Sequence, residues 1–312
     1  MKFFLAPMQG LTGYTVRNAF HHHFDYIDKY YTPFIPAAKR MNAKIKRDID
    51  PVNNDGITLI PQAMSIVADE VIDLHRQLVP YGYDEINVNL GCPSGTVVSK
   101  KRGSGILAYP DMLDSFLDEL YTKADFPVSI KTRVGFNDDE LWPRLIEIYS
   151  KYPISELTVH PRVQKDFYKN TPRMDDFALA MQKINPDKTT LCYNGDITDT
   201  NSFNALTDCF PDIDEIMIGR GLFANPALIA ELKGISMDKA ELRERLKNWH
   251  DEILSGYLSI FSGEKDAMFR MKEIWAYMHE LFSDSEKLWK KIKKCQTLND
   301  YKSIVRMAFD AF

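Results

Sequence analysis

Residues 85–105 read EINVNLGCPSGTVVSKKRGSG, and this stretch decides how the rest of the chain is interpreted. Apolar residues alternate with two asparagines over 86–90, which predicts a β-strand because successive side chains of a strand point to opposite faces. The strand pattern ends at Gly91, and Cys92 follows where the chain leaves the sheet, close to the amide of Asn89. That position suits a reactive thiol. It suits a small buried thiol equally well, since free cysteines are usually buried.

Short β-rich runs recur through the first 232 residues, and helix-length amphipathic segments separate most of them. Alternation of buried strands with helices predicts a parallel sheet covered by helices. Eight strands over this length fit a (β/α)8 TIM barrel, whose usual length is about 250 residues. A doubly wound open sheet is the alternative, but the early G-x-G-x-x-G turn that it needs is absent. The runs are 3–8, 26–32, 57–63, 85–90, 127–133, 156–160, 190–194 and 215–219.

After residue 232 the strand pattern stops, and four helical segments follow. We therefore predict a barrel over residues 1–235 and a small all-helical C-terminal domain over 236–312. We expect Ser236 to cap the first of these helices, at about 237–255, with irregular chain at 258–261. Thr297, followed three positions later by Asp300, predicts the cap of the last helix, 298–311.

Composition and charge limit the classes of protein. The chain has 312 residues, a net charge of -5 and a pI near 5.8, so any nucleic-acid binding must rest on local basic patches. Its four cysteines show neither a C-x-x-C pair nor a zinc-ligand spacing, which indicates reduced thiols, no metal site and a cytoplasmic location. No apolar run reaches the length of about 18 residues that a membrane span needs. We expect a cytoplasmic monomer with no membrane association.

Polar side chains cluster at the predicted carboxyl ends of the strands, where barrel enzymes carry their active sites. Glycines at 195, 219 and 221 would let backbone N–H groups approach an anion, and Arg220 adds a guanidinium fork. Lys131, Gln62 and His160 would lie further in, where a cation and donors suit a ring that gains negative charge on reduction. Phosphate at one end and an electron-accepting ring at the other favour FMN. A sugar phosphate is the competing ligand.

Eight short motifs follow one another along the predicted barrel: LAPMQG (5–10), QA (62–63), INVNLGCPS (86–94), GSGIL (103–107), KTRVG (131–135), VHPR (159–162), NGDI (194–197) and IGRG (218–221). Together they resemble the tRNA-dihydrouridine synthase family. N-x-N-x-G-C-P is the specific element, whereas the NG and GRG turns alone are shared with many flavin barrels. The resemblance implies FMN bound by Pro7, Met8, Gln9, Gln62, Lys131, His160, Asn194, Gly195, Asp196, Gly219 and Arg220.

The resemblance also implies a reaction. NADPH would reduce FMN, hydride would pass to C6 of a uracil in tRNA, and Cys92 would give a proton to C5. A thiol with a pKa near its ordinary value of about 8.5 is mostly protonated at neutral pH, as a general acid must be. Asn89 and Arg133 would lie near the uracil, and Arg162 would contact the substrate. The sequence HPRV at 160–163 departs here from the family's usual HGRT, which weakens the assignment of Arg162 and of Tyr168 beyond it.

Basic residues indicate where tRNA would bind. Lys100, Lys101 and Arg102 lie on a loop, 94–105, whose glycines would let it close over the uracil; a solvated surface loop is the alternative. Five lysines lie on one C-terminal helix at 287–294, and a second cluster comprises Lys39, Arg40, Lys44, Lys46 and Arg47. We expect the helical domain to bind tRNA, so that its removal abolishes tRNA binding and leaves flavin bound.

Three other functions stay open at this point. The first is an FMN-dependent TIM-barrel oxidoreductase that acts on a small molecule, which would not need the appended helical domain and its lysines. The second is a phosphosugar isomerase or aldolase with Lys131 as a Schiff-base amine. The third is a non-catalytic tRNA-binding protein, which the presence of Cys92, Lys131 and His160 disfavours.

Overall fold

The computed structural model describes residues 1–37 and 40–312, so Lys39 of the second basic cluster lies outside the described residues. All strand pairs in the sheet are parallel. The strands are β1 (Lys2–Leu5), β2 (Lys29–Tyr31), β3 (Ile35–Pro36), β4 (Leu59–Ile60), β5 (Gln62–Met64), β6 (Ile86–Leu90), β7 (Val128–Gly135), β8 (Glu156–Val163), β9 (Thr190–Tyr193) and β10 (Glu215–Ile218).

The sheet closes into a barrel of eight strands, as the sequence predicts. Its order is β3-β5-β6-β7-β8-β9-β10-β1-β2-β4. The barrel is closed because β3 pairs with β5 at one end of this order and β2 pairs with β4 at the other. β2 and β3 follow one another as one barrel strand, and only Pro61 separates β4 from β5. Proline has no N–H for the ladder, so the pairing is interrupted at this point. The hydroxyl of Thr32 spans the gap, because it accepts a hydrogen bond from the Gln62 N–H at 2.9 Å.

Helices surround the barrel in the predicted alternation. In α3, for example, Val71, Leu74 and Leu78 are fully buried, as expected for the apolar face of a helix that packs on a sheet. The barrel helices are α1 (Tyr14–His23), α2 (Ala43–Ile49), α3 (Ala68–Leu78), α4 (Gly95–Val98), α5 (Pro110–Lys123), α6 (Trp142–Tyr149), α7 (Met174–Lys183), α8 (Thr200–Cys209), α9 (Arg220–Ala224) and α10 (Leu228–Leu232).

The C-terminal region is helical, as predicted. It contains α11 (Lys239–Ile260), α12 (Glu264–Met278), α13 (Ser285–Lys294) and α14 (Leu298–Asp310). Two details of the prediction are wrong: Asp238 rather than Ser236 caps α11, and the helix continues through 258–260. Leu254 and Tyr257 are buried near its end, so packing against the rest of the protein extends it. Thr297 caps α14 as predicted, because its hydroxyl accepts from the Asp300 N–H at 3.1 Å.

The barrel and the helical region share one continuous hydrophobic core. Phe20 of α1 packs on Trp249 of α11, with ring centroids 5.1 Å apart, and on Phe223 of α9 at 5.8 Å. A Cβ at Gly256 would lie 2.3 Å from the Thr15 side chain, so glycine permits the close approach of α11 to α1. The helical region is therefore packed against the barrel wall. None of the helices in the described ranges is both long and apolar enough to cross a membrane.

Candidate active site

A cavity of about 330 Å³ opens at the carboxyl ends of the barrel strands. Beneath it, a cluster that includes Phe4, Tyr31, Cys192 and Met217 fills the barrel interior. The cavity is therefore a pocket on a packed core, as in other barrels of this kind. Of the residues predicted for the site, it is lined by Pro7, Met8, Gln9, Asn89, Cys92, Lys131, Arg133, His160, Asn194, Gly195, Asp196, Gly219 and Arg220.

One end of the cavity offers unpaired backbone donors. The N–H groups of Gly195, Gly219 and Arg220 have no acceptor among residues 1–37 and 40–312. A Cβ at Gly195 would lie 2.0 Å from the Tyr193 hydroxyl, so only glycine fits in this turn. Free N–H groups beside a guanidinium form an anion-binding environment.

Asp196 joins the two arginines at this end of the cavity. Its carboxylate accepts from Arg162 Nη1 at 2.9 Å and from Arg220 Nη2 at 2.5 Å. Burial acts to raise the pKa of Asp196, but the bonds and charges of the two arginines outweigh it and lower that pKa. Arg162 is buried and does not line the cavity, whereas Arg220 is about one-third exposed and does. Arg220 is therefore the arginine of the pair that is placed to reach a ligand.

The inner part of the cavity holds Lys131 and His160. Lys131 Nζ donates to Asn194 Oδ1 at 2.6 Å, and Asn194 Nδ2 donates to the carbonyl of Met217 at 2.7 Å, which fixes the amide orientation. Burial, aided by the nearby charge of Arg133, lowers the pKa of Lys131 to about 7. Lys131 therefore changes between its charged and neutral forms near neutral pH.

His160 is neutral in this setting. Burial and four surrounding cationic side chains lower its pKa well below the usual value for histidine. Arg162 Nη1 lies 3.2 Å from His160 Nε2 and can only donate, so Nε2 is the acceptor and the ring proton resides on Nδ1. The neutral imidazole thus offers one hydrogen-bond donor, Nδ1–H, and is surrounded by four cationic side chains.

Cys92 sits in a turn that Asn89 organises. The Asn89 side-chain oxygen accepts from the N–H groups of Gly91, at 3.1 Å, and Cys92, at 2.9 Å. Its amide nitrogen donates to Gln62 Oε1 at 2.7 Å, which leaves Gln62 behind the cavity wall. Burial raises the pKa of the Cys92 thiol, against the opposing effects of the Ser94 N–H and two neighbouring cations. The thiol is therefore protonated at neutral pH.

Arg133 forms a clamp between the Cys92 turn and the loop after β8. Its Nε donates to the Gly91 carbonyl at 3.0 Å, and its Nη1 and Nη2 donate to the carbonyls of Val163 and Phe167 at 2.9 and 2.8 Å. The side chain is 1% exposed, although it touches the cavity. Three backbone carbonyls thus accept from the Arg133 guanidinium, which the family resemblance places near the uracil.

The three basic residues of the loop 94–105 do not line the cavity. Arg102 forms an ion pair with Glu70 at 3.1 Å, and Lys101 lies over the ring of Tyr109 at 4.3 Å; Lys100 is exposed. Gly103 has φ +56°, and a Cβ there would lie 2.7 Å from the Cys92 carbonyl. Glycine is required at this position because the loop packs closely against the Cys92 turn. Close packing therefore explains this glycine without the loop closure that the sequence suggested.

Three aromatic residues complete the cavity: Phe34, Tyr168 and Tyr277. Tyr168, which is half exposed, lies with its ring 4.8 Å from the Arg220 guanidinium carbon and 5.4 Å from that of Arg133. Tyr277 comes from α12 of the helical region, and sequence reasoning did not identify it. It lies within the apolar stripe of α12, between Trp275 and Met278, so no sequence pattern distinguishes it from a core residue.

The chain is similar in sequence to a known protein family. A family model described as dihydrouridine synthase matches residues 4–311. The protein named "Probable tRNA-dihydrouridine synthase" of Staphylococcus aureus (strain Mu50 / ATCC 700699) is 32% identical over 203 residues, which cover 64% of this chain and 58% of that protein. The chain thus spans less than two thirds of the length of this relative. "tRNA-dihydrouridine synthase B" of Pasteurella multocida (strain Pm70) is 26% identical over 243 residues, 75% of this chain and 69% of that protein.

A solved structure supports the fold alone. Morphinone reductase superposes with a TM-score of 0.51 at 10% sequence identity, covering 77% of this chain and 88% of that one. The likeness shows that both proteins share a barrel fold, and it carries no information on the substrate of this chain.

Proposed function

This chain belongs to the dihydrouridine synthase family, and we propose that it reduces the C5–C6 double bond of a uridine in tRNA to 5,6-dihydrouridine, with FMN as cofactor and NADPH as reductant. One observation carries the proposal: a protonated thiol, Cys92, faces the same cavity as an anion-binding end and a buried cation, Lys131. A barrel that only bound a phosphosugar would have no use for the thiol.

The residues present fit FMN. The unpaired N–H groups of Gly195, Gly219 and Arg220 would hold the phosphate, together with the Arg220 guanidinium. Lys131 and His160 would contact the polar edge of the ring, where a cation and a neutral donor stabilise added negative charge. Among the described residues, no group of three or more His, Cys, Asp or Glu side chains could hold a metal ion.

Cys92 has the properties of a proton donor. When bound and reduced by NADPH, FMN would supply the hydride for C6 of the uracil. The thiol keeps its proton at neutral pH because burial raises its pKa, and it would deliver that proton to C5. Asn89 holds the turn by accepting two backbone hydrogen bonds, and Arg133 holds it through the Gly91 carbonyl. These residues orient the thiol.

A uridine in folded tRNA must leave its stack to reach a cavity of this kind. The exposed lysines of α13 would hold the polyanion, since Lys287, Lys290, Lys291, Lys293 and Lys294 all face solvent. Arg40, Lys44, Lys46 and Arg47 form a second exposed basic surface. Binding through phosphates would weaken steeply as salt is raised.

The test separates a tRNA enzyme from a flavin barrel that acts on small molecules. Purified protein is mixed with NADPH and either unmodified tRNA or free uracil, and NADPH oxidation is followed together with the nucleosides of the recovered tRNA. We expect FMN to copurify, tRNA to accelerate oxidation, and dihydrouridine to form. Equal acceleration by free uracil would support the small-molecule alternative, and a colourless protein that binds no flavin would contradict both.

A further inference from the structure

Tyr277 brings the helical region into the wall of the cavity. It lies seven positions after Arg270 on α12, so the two side chains share one face of the helix. Arg270 comes so close to Gly10 that a Cβ at Gly10 would lie 2.7 Å from Arg270 Nη1. This face of α12 is therefore directed at the turn after β1, and residues 6–9 and 11 of that turn line the cavity.

The ring of Tyr277 lies beside the anion-binding end. It packs on Phe223 of α9, with ring centroids 6.2 Å apart. Phe223 follows Arg220 by three positions, which places both on the same side of α9. Tyr277 thus contacts the short helix whose first residues, after Gly219, offer the unpaired N–H groups.

The Tyr277 hydroxyl is an unused donor. It has no hydrogen-bond partner in the parts of the chain that the structure describes, although the residue is half-buried. Burial raises its pKa, so the hydroxyl stays protonated and can donate. A partly desolvated phenol O–H gains most from an anionic acceptor, because hydrogen bonds to charged groups are the stronger ones.

We propose that the Tyr277 hydroxyl donates a hydrogen bond to a phosphate oxygen of bound FMN, beside Arg220. The inference rests on the proposed function, because it needs FMN in this cavity. It makes the helical region part of the cofactor site as well as a surface for tRNA. Removing residues 236–312 would therefore weaken flavin binding, in contrast to the expectation from sequence.

The test compares FMN with riboflavin, which lacks the phosphate. Dissociation constants of both are measured by fluorescence titration of apoprotein for the wild type and for Tyr277→Phe, which keeps the ring packed on Phe223. The control is Tyr26→Phe, since Tyr26 precedes β2 at the opposite end of the barrel. We expect Tyr277→Phe to weaken FMN binding about tenfold, the size of one hydrogen bond to a charged group, and to leave riboflavin binding unchanged.

Unchanged FMN affinity in Tyr277→Phe would overturn the proposal. A parallel loss for FMN and riboflavin would overturn it too, because it would assign the hydroxyl to the ring. Lower tRNA affinity with unchanged FMN affinity would place the contact on an RNA phosphate instead. A wild-type protein that binds no FMN would refute the flavin part of the proposed function itself, which distinguishes the two failures.

Discussion

Replacing Arg133 tests whether the Cys92 turn is held in place by a buried guanidinium. Arg133→Met keeps much of the side-chain volume and removes three hydrogen bonds, to the carbonyls of Gly91, Val163 and Phe167. A net hydrogen bond that involves a charged group contributes about 1.5–3 kcal/mol, and the carbonyls left behind are buried or partly buried. Water entering from the cavity would satisfy some of them.

We expect Arg133→Met to lower the free energy of unfolding by about 3–5 kcal/mol, because three hydrogen bonds to a charged group are lost and water replaces only part of them. Arg133→Lys, which retains the charge and can reach fewer carbonyls, should lose roughly half as much. Equilibrium urea unfolding, followed by tryptophan fluorescence, measures the loss. The control is Arg76→Met, because Arg76 is 72% exposed in its pair with Asp73 and should change stability by less than about 0.5 kcal/mol.

The functional outcome depends on the same clamp. If Arg133 positions the thiol, Arg133→Lys should lower kcat with little change in the KM for tRNA. A loss of stability below about 1 kcal/mol in Arg133→Met, combined with a large rise in KM, would refute this reasoning. Arg133 would then act as a direct substrate contact.

Two further predictions concern the cation and the packing between barrel and helices. Lys131 is protonated below its pKa of about 7 and neutral above it, so FMN affinity should fall by up to about tenfold per pH unit above that point. Lys131→Met should remove this dependence; identical pH profiles of the dissociation constant for the two proteins would contradict the assignment. Trp249→Ala should lower the free energy of unfolding by about 3–5 kcal/mol, because the ring is fully buried against Phe20. In the same unfolding assay the exposed-site control Met307→Ala should change little, and equal effects of the two would count against a shared core.

The barrel could be predicted from sequence because strand and helix patterns are local. Alternation over 86–90 and helical spacing between the runs depend only on neighbouring residues. The position of most cavity residues followed from one rule, that parallel strands in a barrel end at the same rim. The sequence did not predict how the interruption of strand pairing at Pro61 is bridged, because the bridging hydroxyl belongs to Thr32 in another strand.

The orientation of individual side chains could not be predicted in the same way. Gln62 and Arg162 are predicted at the cofactor and the substrate, but the sequence does not show that Gln62 Oε1 accepts from Asn89 or that Arg162 Nη1 donates to Asp196. These partners lie 27 and 34 positions away, so the bonds depend on the assembled fold. Tyr277 was missed for a similar reason, because only the docking of α12 brings it to the cavity.

The most direct test of the central claim compares the wild type with Cys92→Ala. Each protein is incubated with NADPH and unmodified tRNA, and flavin reduction and dihydrouridine are measured in the same samples, with the exposed-thiol variant Cys209→Ala as control. We predict that Cys92→Ala reduces its flavin at the wild-type rate and forms almost no dihydrouridine, while Cys209→Ala behaves as the wild type. Dihydrouridine formed by Cys92→Ala at the normal rate would contradict the account.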